Sequence, residues 1–72
     1  MKPKVSRPKQ VESLLFRLGF TVRAGKGSHR MYAHRDGRTV LIAFHPGTIP
    51  TGTLRKIIES MGLTVEQFND SV

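Results

Sequence analysis

Apolar residues recur along this chain with two periods, and the change from one to the other marks its elements. Val11, Leu14, Leu15 and Leu18 fall at i, i+3, i+4 and i+7, the single stripe of an amphipathic helix. Ser6 or Arg7 stands near its cap and Pro8 in its first turn, where a missing N–H is tolerated. Gly19 ends it by offering a left-handed C′ position. Phe20 to Ala24 then reads as a strand rich in β-branched residues, and Gly25-Lys26-Gly27 as a turn whose flexible backbone lets a ligand approach. His29 to His34 and Thr39 to Phe44 flank Arg35-Asp36-Gly37-Arg38, where Asp-Gly signals a tight two-residue hairpin.

That turn sets a register in which Arg35 faces Arg38, Ala33 faces Val40, Met31 faces Ile42 and His29 faces Phe44. It places Met31, Ala33, Val40, Ile42 and Phe44 on an apolar face and Arg30, Tyr32, His34 and Thr39, with Leu41, on the other. After the loop His45 to Pro50, the helical stripe returns at Leu54, Ile57, Ile58 and Met61, and Gly62 closes it. Thr64-Val65-Glu66-Gln67 resembles a capping box opening a last short turn around Phe68. The expected architecture is α+β: an α-β-β-β-α two-layer domain, with a three-stranded antiparallel sheet and both helices on one of its faces. Double-stranded RNA-binding domains use this layering, although a shared fold carries no function by itself.

Seventy-two residues have room for one domain, spanning 1–72, and one thin core. Met1 to Ser6, basic and without periodicity, is expected to be a flexible tail. The longest apolar run, Val40 to Phe44, is far shorter than a membrane span, and no signal-peptide pattern opens the chain, so a cytoplasmic protein is expected. There are no cysteines, which excludes disulfides and thiolate metal sites.

Charge changes the picture most. The net charge is +7, and it is unevenly placed. Residues 1–38 hold ten basic side chains against Glu12 and Asp36, while residues 39–72 hold Arg55 and Lys56 against Glu59, Glu66 and Asp70. A cationic surface of this kind suits a polyanion, which it binds by releasing counterions; an acidic protein partner would use the same patch.

Candidate chemistry centres on His29, which follows Gly27-Ser28 and lies between Lys26 and Arg30. An imidazole beside cations suits RNA self-cleavage, which needs a base for the 2′-hydroxyl proton and positive charge for the developing phosphorane. A histidine that only binds phosphate or caps the strand is the competing role. His34, five residues along, is roughly 16 Å away at about 3.3 Å per residue, too far to share a site. His45 emerges at the same end of the hairpin as His29, so a paired acid and base is open to it, as is a role in ordering the loop. Lys26, Arg30 and Arg23, with Ser28 beside them, are the nearest candidate RNA contacts, and Lys9 and Arg17 are further backbone anchors. Tyr32 is a candidate for base stacking or for packing. Scattered histidines without neighbouring carboxylates do not build a zinc or magnesium site, so neither metal nor cofactor is expected.

Gly19-Phe20, Gly27-Ser28-His29, His45 and Gly52-Thr53-Leu54-Arg55 with Ile57 and Ile58, taken in this order and over nearly the whole chain, resemble the HicA toxin family. The resemblance extends to the Asp-Gly hairpin and the closing Gly-Leu-Thr-x-Glu-x-Phe. It implies an mRNA-cleaving endoribonuclease of a toxin–antitoxin pair, neutralised by a HicB-type antitoxin that covers the active site. In that family the histidine of the Gly-Ser-His step is catalytic, which maps onto His29. Two positions depart from the pattern: Ala43 stands where the family often has proline, and Thr51 where lysine is frequent. The competing class is a non-catalytic RNA-binding module that holds RNA by shape and phosphate contacts.

Overall fold

The stripe read from the sequence is the face that packs. In a computed structural model describing residues 1–72, the first helix, α1 (Pro8–Arg17), buries Val11, Leu14 and Leu15. Its cap is Arg7, whose N–H donates to Gln10 Oε1 at 2.7 Å, and Pro8 takes the first helical position. Gly19, at φ +95°, supplies the left-handed residue that turns the chain into the sheet.

Three antiparallel strands follow, β1 (Thr21–Lys26), β2 (His29–Ala33) and β3 (Thr39–Ala43), in the spatial order β1-β2-β3. The second helix, α2 (Thr51–Ser60), buries Leu54, Ile57 and Ile58, and a short third helix, α3 (Val65–Ser71), buries Phe68. Thr64 and Gln67 cap α3 reciprocally: the Gln67 N–H donates to Thr64 Oγ1 and the Thr64 N–H to Gln67 Oε1. One cluster of buried side chains joins both long helices, α3 and the inner face of the sheet, so the molecule has a single core. No helix is long and apolar enough to cross a membrane.

The hairpin register differs from the expected one by a residue. His29 pairs with Ala43, Arg30 with Ile42, Met31 with Leu41, Tyr32 with Val40 and Ala33 with Thr39. The cause lies in the loop. His34 N–H bonds to Arg38 O, and Gly37 N–H to His34 O, each at 2.9 Å, so three residues, Arg35-Asp36-Gly37, bridge the strands. Gly37 alone is left-handed, at φ +100°. A two-residue type I′ turn would need positive φ at Asp36 as well; a type I turn followed by a left-handed glycine does not. Asp36 is further held by Arg38, whose Nε donates to its carboxylate at 2.9 Å. This partner lowers the Asp36 pKa to about 2.

Because side chains alternate along a strand, one step of register exchanges the faces of β2. Tyr32, expected outside, is fully buried beside Val40 and Ile42, while Met31 and Leu41 lie on the uncovered face at 37% and 54% exposure. The first hairpin also differs. Gly25 and Lys26 belong to β1, and the turn is Gly27-Ser28, with Gly27 at φ +61° and Lys26 paired with His29. Glycine at the first of two loop positions is the type II′ preference. A bulge between Val22 and Ala24 leaves Arg23 as the extra residue of β1.

Residues 1–6, expected as a flexible tail, are docked. Pro3 and Ser6 are buried, Lys4 N–H donates to Asn69 Oδ1 at 2.8 Å, and Asn69 Nδ2 donates to Lys2 O at 3.0 Å. Ile49 N–H donates to Ser6 O at 2.8 Å. An extended segment has no periodicity of its own, and its backbone groups are satisfied here by distant partners.

The register makes a direct prediction for stability. Met31→Gln should change the unfolding free energy by less than about 0.5 kcal/mol, as an exposed position does. Tyr32→Ala should cost about 3 kcal/mol or more, as a buried aromatic does. Urea denaturation of the two variants measures both.

Candidate active site

The type II′ turn at Gly27-Ser28 and the corrected β2–β3 register together decide what surrounds His29. Lys26, His29 and Ala43 are cross-strand neighbours in one row, so their side chains share the uncovered face of the sheet. Beyond Ala43 the chain alternates: Phe44 turns to the helix side and His45 returns to the side of His29. The rings of His29 and His45 lie edge to face with centroids 6.3 Å apart. The expected register had set His29 opposite Phe44 and hence left the two imidazoles on different faces; the shift of one residue brings them together. Both are exposed.

They border a cleft of about 350 Å³ between the end of β3, the 45–50 loop and the start of α2, lined also by Pro8, Thr48, Pro50 and Thr53. Pro50 caps α2 without a side-chain hydrogen bond. The N–H groups of the first turn of α2 are therefore free of any side-chain acceptor, and their partial positive charge adds to the cationic character of this end of the molecule. No group of three His, Asp or Glu side chains is arranged to hold a metal ion.

The remaining candidates are distributed over both sides. Arg30, next to His29 in sequence, points to the opposite face, where Nη1 forms an ion pair with Glu12 Oε2 at 2.9 Å and the guanidinium lies 4.5 Å above the Phe44 ring. It therefore backs the site from the helix side and does not share the row of Lys26 and His29. Ser28 is half-buried, and its carbonyl accepts the Phe44 N–H at 2.6 Å, closing the strand end that carries both histidines. Arg23 is exposed at the bulge of β1, and Lys9 is exposed on α1 beside Pro8, which lines the cleft. Arg17 donates to Ser71 O at 3.1 Å, tying α1 to α3. His34 packs edge-on against Phe20, with centroids 5.1 Å apart, and its Nδ1 accepts the Asp36 N–H, so it belongs to the far end of the hairpin.

In the sequence pattern Glu12 stands out only as a charge. It is the only carboxylate before Asp36, it flanks the apolar stripe of α1, and it is buried at 8% exposure. Tyr32 Oη donates to the same Glu12 oxygen that Arg30 engages. Burial, then the bond to Glu12, pushes the Tyr32 pKa up, so its hydroxyl stays a neutral donor; the bond to Glu12 also raises that of Arg30. One carboxylate thus holds a cation and a phenol beneath the sheet, and the cation covers Phe44, the residue before His45. An acid inside an otherwise basic, stripe-flanking stretch was the available signal, but its partners became readable only with the correct register.

Two comparisons bear on this arrangement. A family model described as "HicA toxin of bacterial toxin-antitoxin" matches residues 8–63, which run from α1 through α2 and include both histidines. No curated protein matches the chain.

Glu12→Ala should lower the unfolding free energy by about 2 kcal/mol, because it leaves the buried Tyr32 hydroxyl and Arg30 without their acceptor. Adding Tyr32→Phe to that background should recover part of the loss, since the orphaned hydroxyl is then gone. Urea denaturation of the single and double variants checks this; a double variant less stable than Glu12→Ala would refute the shared-acceptor role.

Proposed function

The chain belongs to the HicA toxin family of toxin–antitoxin systems, and from that premise we propose that it is a metal-independent endoribonuclease that cleaves mRNA in the cytoplasm and so arrests translation. The observation that carries this reading is the pair of exposed imidazoles, His29 and His45, 6.3 Å apart on the face that also presents Lys26.

The chemistry follows from that spacing. His29, as general base, takes the proton of a ribose 2′-hydroxyl, and the 2′-oxygen forms a bond to the adjacent phosphorus. The bond from phosphorus to the 5′-oxygen breaks, and His45, as general acid, protonates that oxygen as it leaves. The products are a 2′,3′-cyclic phosphate and a 5′-hydroxyl. Lys26, in the row of His29, offsets the charge that develops on the phosphoryl oxygens, and Arg23 and Lys9 hold neighbouring phosphates. Ser28 and Arg30 act from behind, fixing the strand end and Phe44. A HicB-type antitoxin neutralises the toxin by covering this face, where the imidazoles are open to solvent.

Labelled RNA incubated with the purified protein in a chelator should yield fragments ending in 2′,3′-cyclic phosphate. His29→Ala should reduce the rate by about 10²- to 10⁴-fold, the scale of a lost general acid or base, and abolish growth inhibition while leaving the fold intact. His45→Ala should lower the rate and remove one limb of the pH–rate profile. Unchanged cleavage by His29→Ala would overturn the reading, and salt-sensitive RNA binding without products would leave only a binding module.

A further inference from the structure

The sheet has one covered face and one open face, and the open one is apolar where it meets the candidate active site. Met31 and Leu41 are cross-strand partners at 37% and 54% exposure. Ala24 pairs with Met31 from the other side, so a row of three apolar side chains crosses the sheet. The next row is Lys26, His29 and Ala43. Between the two rows lies a shallow hollow of about 190 Å³, lined by Ala24, Gly25, Lys26, His29, Met31 and Leu41. An apolar floor thus runs without interruption into a cation and an imidazole.

We infer that this hollow is a nucleobase subsite, in which a base of single-stranded RNA lies on Met31 and Leu41 while its phosphate reaches Lys26 and His29. The inference rests on the ribonuclease reading and adds to it the state of the substrate. Charge complementarity selects the ligand: neither β1 nor β2 carries a carboxylate, and of the five acids Glu12 lies under the sheet, Asp36 at the far hairpin, and Glu59, Glu66 and Asp70 on α2 and α3. A nucleotide joins a flat, weakly hydrated ring to an anion at short range, which is the pairing these two rows offer. The hollow is smaller than the roughly 300–1,000 Å³ of pockets for drug-sized ligands, and the three apolar side chains that floor it are few against the roughly 20–30 residues that each partner brings to a stable protein interface. A methionine sulfur and an aromatic ring make favourable contact, and such a floor accepts any base because every base presents a π-face. A base inside a duplex has both faces occupied by its neighbours, so the subsite discriminates against double-stranded RNA.

The three methionines make the test simple, because Met1 is exposed, Met61 is fully buried and only Met31 lies in the hollow. With ¹³C-methyl methionine in the full chain, adenosine 3′-monophosphate should move the Met31 methyl resonance upfield by ring current and leave Met61 in place. Inorganic phosphate should perturb His29 and not Met31. A 2′-O-methyl single strand, which cannot be cleaved, should give the Met31 shift, and the corresponding duplex should not. Leu41→Asn, a change at an exposed position, should weaken nucleotide binding about tenfold, the scale of losing part of one apolar side chain's burial, with phosphate binding unchanged. Identical responses to nucleotide and phosphate, or equal Met31 shifts from single strand and duplex, would overturn the inference. So would a Met31 shift produced by an acidic peptide and not by nucleotide, which would assign the face to a protein partner. All of these readouts use ligands that are not cleaved, so failure of the subsite and failure of the ribonuclease reading are separate results.

Discussion

Three residues at the tip of the second hairpin govern what the rest of the molecule presents. Arg35-Asp36-Gly37 closes the strands with one left-handed glycine, and the number of residues in that loop decides which side of β2 is core. With the loop as it is, Tyr32 enters the interior, Met31 stays outside beside Leu41, and His29 stands opposite Ala43, on the same side as His45. A loop shorter by one residue would invert β2 and separate the two imidazoles. Asp36 supports the choice, since its carboxylate holds Arg38 across the loop, and Arg38 reaches on to the carbonyl of Met61 at the end of α2. The hairpin tip is thereby fastened to the helical layer some distance from the histidines.

At the other end of the same hairpin, Glu12 performs the corresponding task. Its carboxylate gathers Arg30 and Tyr32, and Arg30 lies over Phe44. Each member of the histidine pair therefore has a sequence neighbour anchored beneath the sheet, Arg30 behind His29 and Phe44 behind His45. The Phe44 N–H to Ser28 carbonyl bond joins the two strands at that point. Polar groups that are buried and fully partnered specify one arrangement, and no buried side-chain polar atom in the molecule lacks a partner. The exposed side of the sheet can then carry imidazoles, a lysine and an apolar floor without contributing to the core.

Much of the fold was legible because helical periodicity is a property of local sequence. The stripes through Val11 to Leu18 and Leu54 to Met61, the proline at the start of α1, the glycines after both long helices and the Thr64–Gln67 cap all appear in the structure where the pattern put them. His29 was legible as a candidate from its cationic neighbours and from the Gly-Ser-His step. The strand faces were not, because Asp-Gly serves both a two-residue and a three-residue loop, and a difference of one residue exchanges the sides. That single ambiguity misplaced Tyr32 and Met31, put Arg30 on the open face and hid the approach of His45 to His29. The docked N-terminal segment was illegible for another reason: its partners, Asn69 and Ile49, lie more than forty residues away, and no local rule links them to it.

The register is therefore the claim on which the candidate site stands, and cross-strand nuclear Overhauser effects read it directly. In an antiparallel pair the α-protons approach closely only at non-hydrogen-bonded positions. With His34 bonded to Arg38 and Phe44 to Ser28, those positions are Met31 with Leu41 and His29 with Ala43. Strong Hα–Hα effects between the members of these two pairs are expected in solution. Effects linking Tyr32 to Leu41 and Arg30 to Ala43 instead would mean the two-residue turn, with His29 and His45 on opposite sides of the sheet, and would contradict the account.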